Sequence, residues 1–151
     1  MANFFESDDV TIARVMKDHL NTWPQKPVER ILLEDIGKCV PSMMLQQLAA
    51  SEVKKRYING SYIGTWSFAV YIRVNAEDTA SRLDAVECLE ALAGWLTERD
   101  EQGFYVNLPT IDVKRKVTKI EMPTTPSIAA RHEDGNEDYQ AIFSLEYKAR
   151  R

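Results

Sequence analysis

The sequence predicts an α+β domain in which two main helices pack on one face of a mainly antiparallel or mixed sheet with long β-hairpins. Three observations predict it. Two stretches, Ile12 to Trp23 and Leu83 to Leu96, repeat apolar residues at helical spacing. Two others alternate apolar and polar residues after a glycine turn, Asn59-Gly60 and Asp134-Gly135. Two helices are too few to cover both faces of the sheet those strands would build.

Ser7 is placed to cap the first helix, with Asp8 and Asp9 at the positive end of its dipole, and Pro24 stops it. "RILLED", Arg30 to Asp35, reads as a short strand. "SMMLQQLA", Ser42 to Ala49, fits helix or strand by period, and Pro41 before it favours a strand. Asn59-Gly60 predicts a type I′ hairpin turn. The long strand after it points Tyr62, Gly64, Trp66, Phe68, Val70, Ile72 and Val74 to the core, with Gly64 a candidate bulge or bend. The second helix starts at Asp78 or Thr79 and runs to about Glu98. Its apolar stripe is Leu83, Val86, Leu89, Ala93 and Leu96, helped by Ala85 and Leu92, while Glu87, Glu90 and Arg99 face solvent. Ile111 to Met122 reads as a strand broken by Pro123 and Pro126. After Asp134-Gly135 the core face is Tyr139, Ala141, Phe143, Leu145 and Tyr147. Phe68 and Phe143 each follow their turn glycine by eight residues, which suggests two similar hairpins but is too weak to call a sequence repeat.

The length of 151 residues suits a single domain, 1–151, that buries roughly 70% of its surface. Apolar content is 44% and charged content 28%, ordinary for a globular domain. The net charge of −4 argues against dedicated nucleic-acid recognition but leaves room for a local basic patch. No apolar run approaches the ~18 residues a membrane span needs. "MANFFESDDV" lacks the basic start of a secretory signal. Cys39 and Cys88 have no C-x-x-C spacing and are expected as buried thiols in a reducing cytosol.

No catalytic, cofactor or metal site is expected. His19 lies on the polar side of the first helix and His132 in an acidic turn, neither at metal-ligand spacing. No G-x-S-x-G, Walker or G-x-G-x-x-G motif occurs, and Ser42, Ser61 and Ser67 have no neighbouring histidine. "EDGNED", Glu133 to Asp138, lacks the ligand pattern of an EF-hand and reads as a solvated hairpin tip. On a two-residue turn, Arg131 would face Asp138 and His132 would face Glu137. "KRKVTK", Lys114 to Lys119, reads as a lysine-protected edge strand or as a contact for an acidic neighbour. Lys54, Lys55 and Arg56 read similarly.

Taken together, "YINGSYIGTWSFAVYIRV", "DAVECLEALAGWL" and the segment from Pro109 to Lys148 resemble the phage tail-terminator family, in phages of Gram-positive hosts often labelled minor capsid proteins. The residues that carry the resemblance are Gly60, Phe68 with Arg73, Trp95, Pro123 with Pro126, Asp134-Gly135 and Tyr147. It spans roughly Met44 to Tyr147. Ser67 stands where the family often has proline. The resemblance implies a structural virion protein without enzymatic activity, made in the host bacterial cytoplasm. It implies a ring of copies, a hexamer, on the head-proximal end of the tail tube, ending tube polymerisation and joining tail to head. The implied partners are further copies of the chain, the tail-tube protein and the head-tail connector or head-completion protein. The candidate interface residues are Arg131, His132, Glu133, Asp134, Glu137 and Asp138 at the second hairpin, and Lys114, Arg115, Lys116 and Lys119 in the basic strand. Opposite charge on the two would steer association. Two other readings stay open: another neck or tail component, and a non-viral α+β module that binds a small ligand in a cleft.

Overall fold

The computed structural model describes residues 8–36, 40–75 and 79–150. The order of elements is α1 (Asp8–Leu20), β1 (Ile31–Leu33), β2 (Ser42–Gln47), β3 (Glu52–Arg56), β4 (Tyr62–Asn75), α2 (Thr79–Thr97), β5 (Arg115–Glu121), β6 (Ser127–Arg131) and β7 (Asn136–Ala149). All seven strands form one mixed sheet in the order β1-β2-β4-β7-β5. β3 adds to the free part of β4 and β6 to the free part of β7. Only β1 with β2 is parallel. The fold is α+β, as the alternation of elements predicts.

The two 14-residue strands β4 and β7 pair along their whole length, from Tyr62↔Ala149 to Asn75↔Asn136. Strand geometry makes this spine about 45 Å long. One side of it is apolar because every second residue is: Trp66, Phe68, Val70 and Ile72 on β4, and Tyr139, Ala141, Phe143, Leu145 and Tyr147 on β7, are all buried. Ile12, Met16 and Leu20 of α1 and Leu89, Leu92 and Leu96 of α2 close the same core, so both helices lie on that face. Thr65, Ser67, Tyr71 and Arg73, with Gln140, Ile142, Ser144 and Glu146, point the other way and stay partly exposed.

Several local expectations change. Neither hairpin uses a type I′ turn. That turn needs positive φ at both central residues. Here only the glycines have it, Gly60 and Gly135, each at φ 90°. The Gly60 N–H donates to Tyr57 O (3.0 Å) and the Tyr57 N–H to Ser61 O (2.8 Å). Gly135 and His132 repeat both bonds, at 3.1 and 2.9 Å. These are longer loops closed by a left-handed glycine, each braced by a side chain: Asn59 Oδ1 accepts from the Ser61 N–H, and Asp134 Oδ1 from the Asn136 N–H. The longer loop moves the pairing by one residue. Arg131 therefore faces Glu137, and Ala130 faces Asp138.

Gly64 does not divide β4. The register shift beside it lies in β3, between Val53 and Lys55. The first hairpin is short, since β3 has five residues, and β4 is paired to β7 from Tyr62 onward. β5 starts at Arg115 and not Ile111, because Asp112 Oδ1 accepts the Lys114 and Arg115 N–H groups and holds a turn there. Leu83 is 56% exposed. The buried face of α2 is Ala85, Leu89, Leu92, Ala93 and Leu96, with Val86 half-buried. His19 is half-buried: it stacks on Trp95 at 4.9 Å, and its Nε2 donates to Asn107 O at 2.7 Å. Cys88 is half-buried, and burial pushes its thiol up to about 11. Ser7, Cys39 and Asp78 lie outside the described residues.

The two halves of the sheet are alike. A constant shift of 75 residues carries Gly60 onto Gly135, β3 onto β6, and the register shift at Val53/Lys55 onto that at Ile128/Ala130. The same shift carries Phe68 onto Phe143, which are direct partners in the β4–β7 ladder. A pseudo-twofold axis therefore passes through the sheet between these two rings, which stack at 5.2 Å. Each half is a helix followed by three strands of the same pairing, and β1 is the one strand without a counterpart.

Candidate functional site

The antiparallel spine sends the two glycine turns to opposite ends of the molecule. The ends differ in charge.

At the second turn most of the charge is used internally. Arg73 grips Asp138 with two bonds, Nε to Oδ1 at 2.7 Å and Nη2 to Oδ2 at 2.9 Å, and His132 Nε2 lies 2.8 Å from Oδ2. Glu137 takes Arg82 Nε and Arg131 Nε, both at 2.9 Å, and the Tyr139 hydroxyl at 3.1 Å. Glu137 and Asp138 are buried, at 4% and 8% exposure. They fasten the hairpin to β4 and α2. Glu133 and Asp134 remain exposed at the tip, with Arg131 and His132 at its shoulders. Burial pushes both buried carboxyls up, but the arginine bonds, with Tyr139 at Glu137 and His132 at Asp138, outweigh it and hold them below their ordinary values.

At the other end, Arg115 is also committed internally. Its Nε donates to Asp8 Oδ1 at 2.6 Å and its Nη1 to Asp112 Oδ2 at 2.7 Å. Asp8 further accepts the hydroxyls of Tyr62 and Tyr147, the latter at 2.9 Å. This network ties the start of α1 to β4, β5 and β7. Burial raises the Asp8 carboxyl, and the three donors overcome it and lower it. Burial together with Asp8 pushes Tyr62 up to about 12.

The linkage sign follows from these depressed carboxyls. Asp8, Glu137 and Asp138 contribute stability that is fully present above about pH 4.5 and is lost as pH falls through their lowered folded values. The urea midpoint should be flat from neutral pH to about pH 5 as far as these three groups are concerned, and drop steeply below about pH 4.

Lys114 and Lys116 are exposed and Lys119 pairs with Glu121 at 2.9 Å. Lys116 stands directly opposite Lys148 on β7. Lys148 is next to Ile63 on β4, which is next to Lys55 on β3, so three lysines share one cross-strand row. The Lys55 and Lys148 ammoniums both approach the Tyr57 ring, at 5.2 and 5.5 Å from its centre. A groove of about 530 Å³ runs along the outer edge of β5, lined by Lys114, Lys116, Lys148 and Arg150. Asp112, the one carboxylate in its wall, is held by Arg115. Like charges facing each other across strands destabilise. Lys116→Glu, placing a carboxylate opposite Lys148, should stabilise by about 0.5 kcal/mol and raise the melting temperature by roughly 1–2 °C.

Sequence reading found the charged segments. It missed the Lys55–Lys148–Lys116 row, whose members come from three strands that only the register aligns. Among the described residues no group of three His, Cys, Asp or Glu is arranged to hold a metal, and no helix is long and apolar enough to cross a membrane. No protein-family model matches the chain, and no curated protein matches it significantly.

Proposed function

We propose that the chain is a structural subunit of the tail-terminator type, which assembles as a ring at the head-proximal end of a phage tail tube, ends its polymerisation and joins tail to head. The observation that carries this reading is the pair of sheet edges. β3 and β6 occupy equivalent positions on opposite sides of the spine, and their residues are exposed except for half-buried Ala130. They differ in chemistry: Glu52-Val53-Lys54-Lys55-Arg56 against Ser127-Ile128-Ala129-Ala130-Arg131. Unlike edges on opposite sides favour head-to-tail contact, which closes into rings or runs on as filaments. The likeness of the sequence to tail terminators selects the ring.

The test is electron microscopy of the purified protein mixed with the tail-tube protein of the same phage. Tubes of limited length, each capped by a ring at one end, are expected. Filaments formed by this chain alone would make it a tube subunit, and unchanged tube growth would overturn the reading.

A second reading keeps a foothold in a cleft of about 380 Å³ between the start of α2 and the end of β4, lined by Pro27, Pro41, Ile72, Val74, Ala85 and Cys88 among others. A small molecule retained there in native mass spectrometry would favour a ligand-binding module.

A further inference from the structure

The pseudo-twofold axis allows each charged position to be compared with its counterpart in the other half. Arg73 corresponds to Lys148, and Asp138, which neutralises Arg73, corresponds to Ile63. The acidic end thus contains its own counter-charge for Arg73, and the basic end has the apolar Ile63 at the corresponding place beside Lys148. Lys55, Lys116 and Lys148 are exposed and form no ion pair among the described residues. Lys114 and Arg150 extend the same patch along the groove at β5, and Lys148 and Arg150 with Asn59 and Ser61 continue it to the first turn. The Tyr57 ring attracts two of the ammoniums and draws them together, which favours an arrangement that faces one anionic ligand.

The acidic tip of a second copy would offer this patch only Glu133 and Asp134, because Glu137 and Asp138 are buried and paired. Strands lie about 4.8 Å apart, so Lys116 and Lys148 are one step apart, Lys148 and Lys55 two steps with Ile63 between, and the row continues into a groove. A line of cations of this kind matches a line of phosphates.

We propose that the basic end binds the phosphate backbone of a nucleic acid, with Lys55, Lys116 and Lys148 as its central contacts. Lysine contacts to phosphate carry no base information, so binding is independent of sequence and falls with salt. This goes beyond the assembly role and does not depend on it.

The test is fluorescence anisotropy of the full chain with a labelled oligothymidylate and a labelled duplex, each about 20 nucleotides long, from about 50 to 200 mM salt. Binding at low salt that weakens as salt rises is expected. The variant K55E/K116E/K148E, checked for folding by circular dichroism, should lose at least about tenfold in affinity. For the single strand its salt slope should flatten by about 2, the share of three phosphates. Absence of binding to either probe at low salt would overturn the proposal, and so would binding and slope unchanged in the variant. Sedimentation velocity covers the other occupant: self-association abolished by the three reversals, and not competed by oligonucleotide, would reassign the patch to a second copy.

Discussion

Gly64→Ala is expected to destabilise the fold by about 2–3 kcal/mol and lower the melting temperature by roughly 5–10 °C. A β-carbon at Gly64 would lie 2.5 Å from Cζ and 2.6 Å from the hydroxyl oxygen of Tyr147, its direct partner across the ladder. Tyr147 is 1% exposed, and its hydroxyl is tied to Asp8, so the ring has nowhere to retreat without breaking the network at the start of α1. The glycine is a seat for a ring, not a hinge. Thermal melts of Gly64→Ala in the wild-type and Tyr147→Leu backgrounds check this. In the second background the added penalty should shrink to below about 1 kcal/mol, because a shorter side chain vacates the space. An equal penalty in both backgrounds would show that backbone propensity, and not the ring, is the cause.

The second large effect is expected on the pseudo-twofold axis. Phe68→Ala and Phe143→Ala should each cost about 3–5 kcal/mol. The two rings stack at 5.2 Å and 16°, with Trp66 against Phe68 at 5.0 Å, and all three are fully buried. Because the two rings occupy equivalent positions, their separate losses should be similar. The double variant should lose less than the sum, since both truncations open one shared cavity. Urea titration of the single and double variants measures this. Strict additivity would mean the rings belong to separate packing sites.

How much of this was legible in the sequence depended on how local the determinant was. The core faces of β4 and β7 were legible because a strand alternates with period two, and every residue assigned to the β7 face is buried. The loops were legible in place but not in type. Asn-Gly and Asp-Gly favour a short turn, yet the structure extends each loop by bracing it with the Asn59 or Asp134 side chain. The stripe of α2 was legible in Ala85, Leu89, Leu92, Ala93 and Leu96, all buried, and failed only at Leu83 near the helix start. Among the candidate interface residues, Arg115, Glu137 and Asp138 read as surface charge because they sit in charged runs. Their partners Asp8, Arg82 and Arg73 lie 107, 55 and 65 residues away, beyond the reach of any local pattern. The spacing shared by the two hairpins was visible, but the halves retain so few identical residues that only the matched register shifts show how far the likeness extends.

The repeated half has one further consequence. Two identical helix-and-three-strand units meeting about a twofold axis would form a dimer whose ends are the same, and such a particle cannot distinguish up from down. Two units that share one polypeptide are each free to carry a different sequence. One turn is Tyr57-Ile58-Asn59-Gly60 amid lysines and the other is His132-Glu133-Asp134-Gly135. The backbone is close to symmetric while the charge on its surface is not, so the molecule has a direction that its fold alone does not give it.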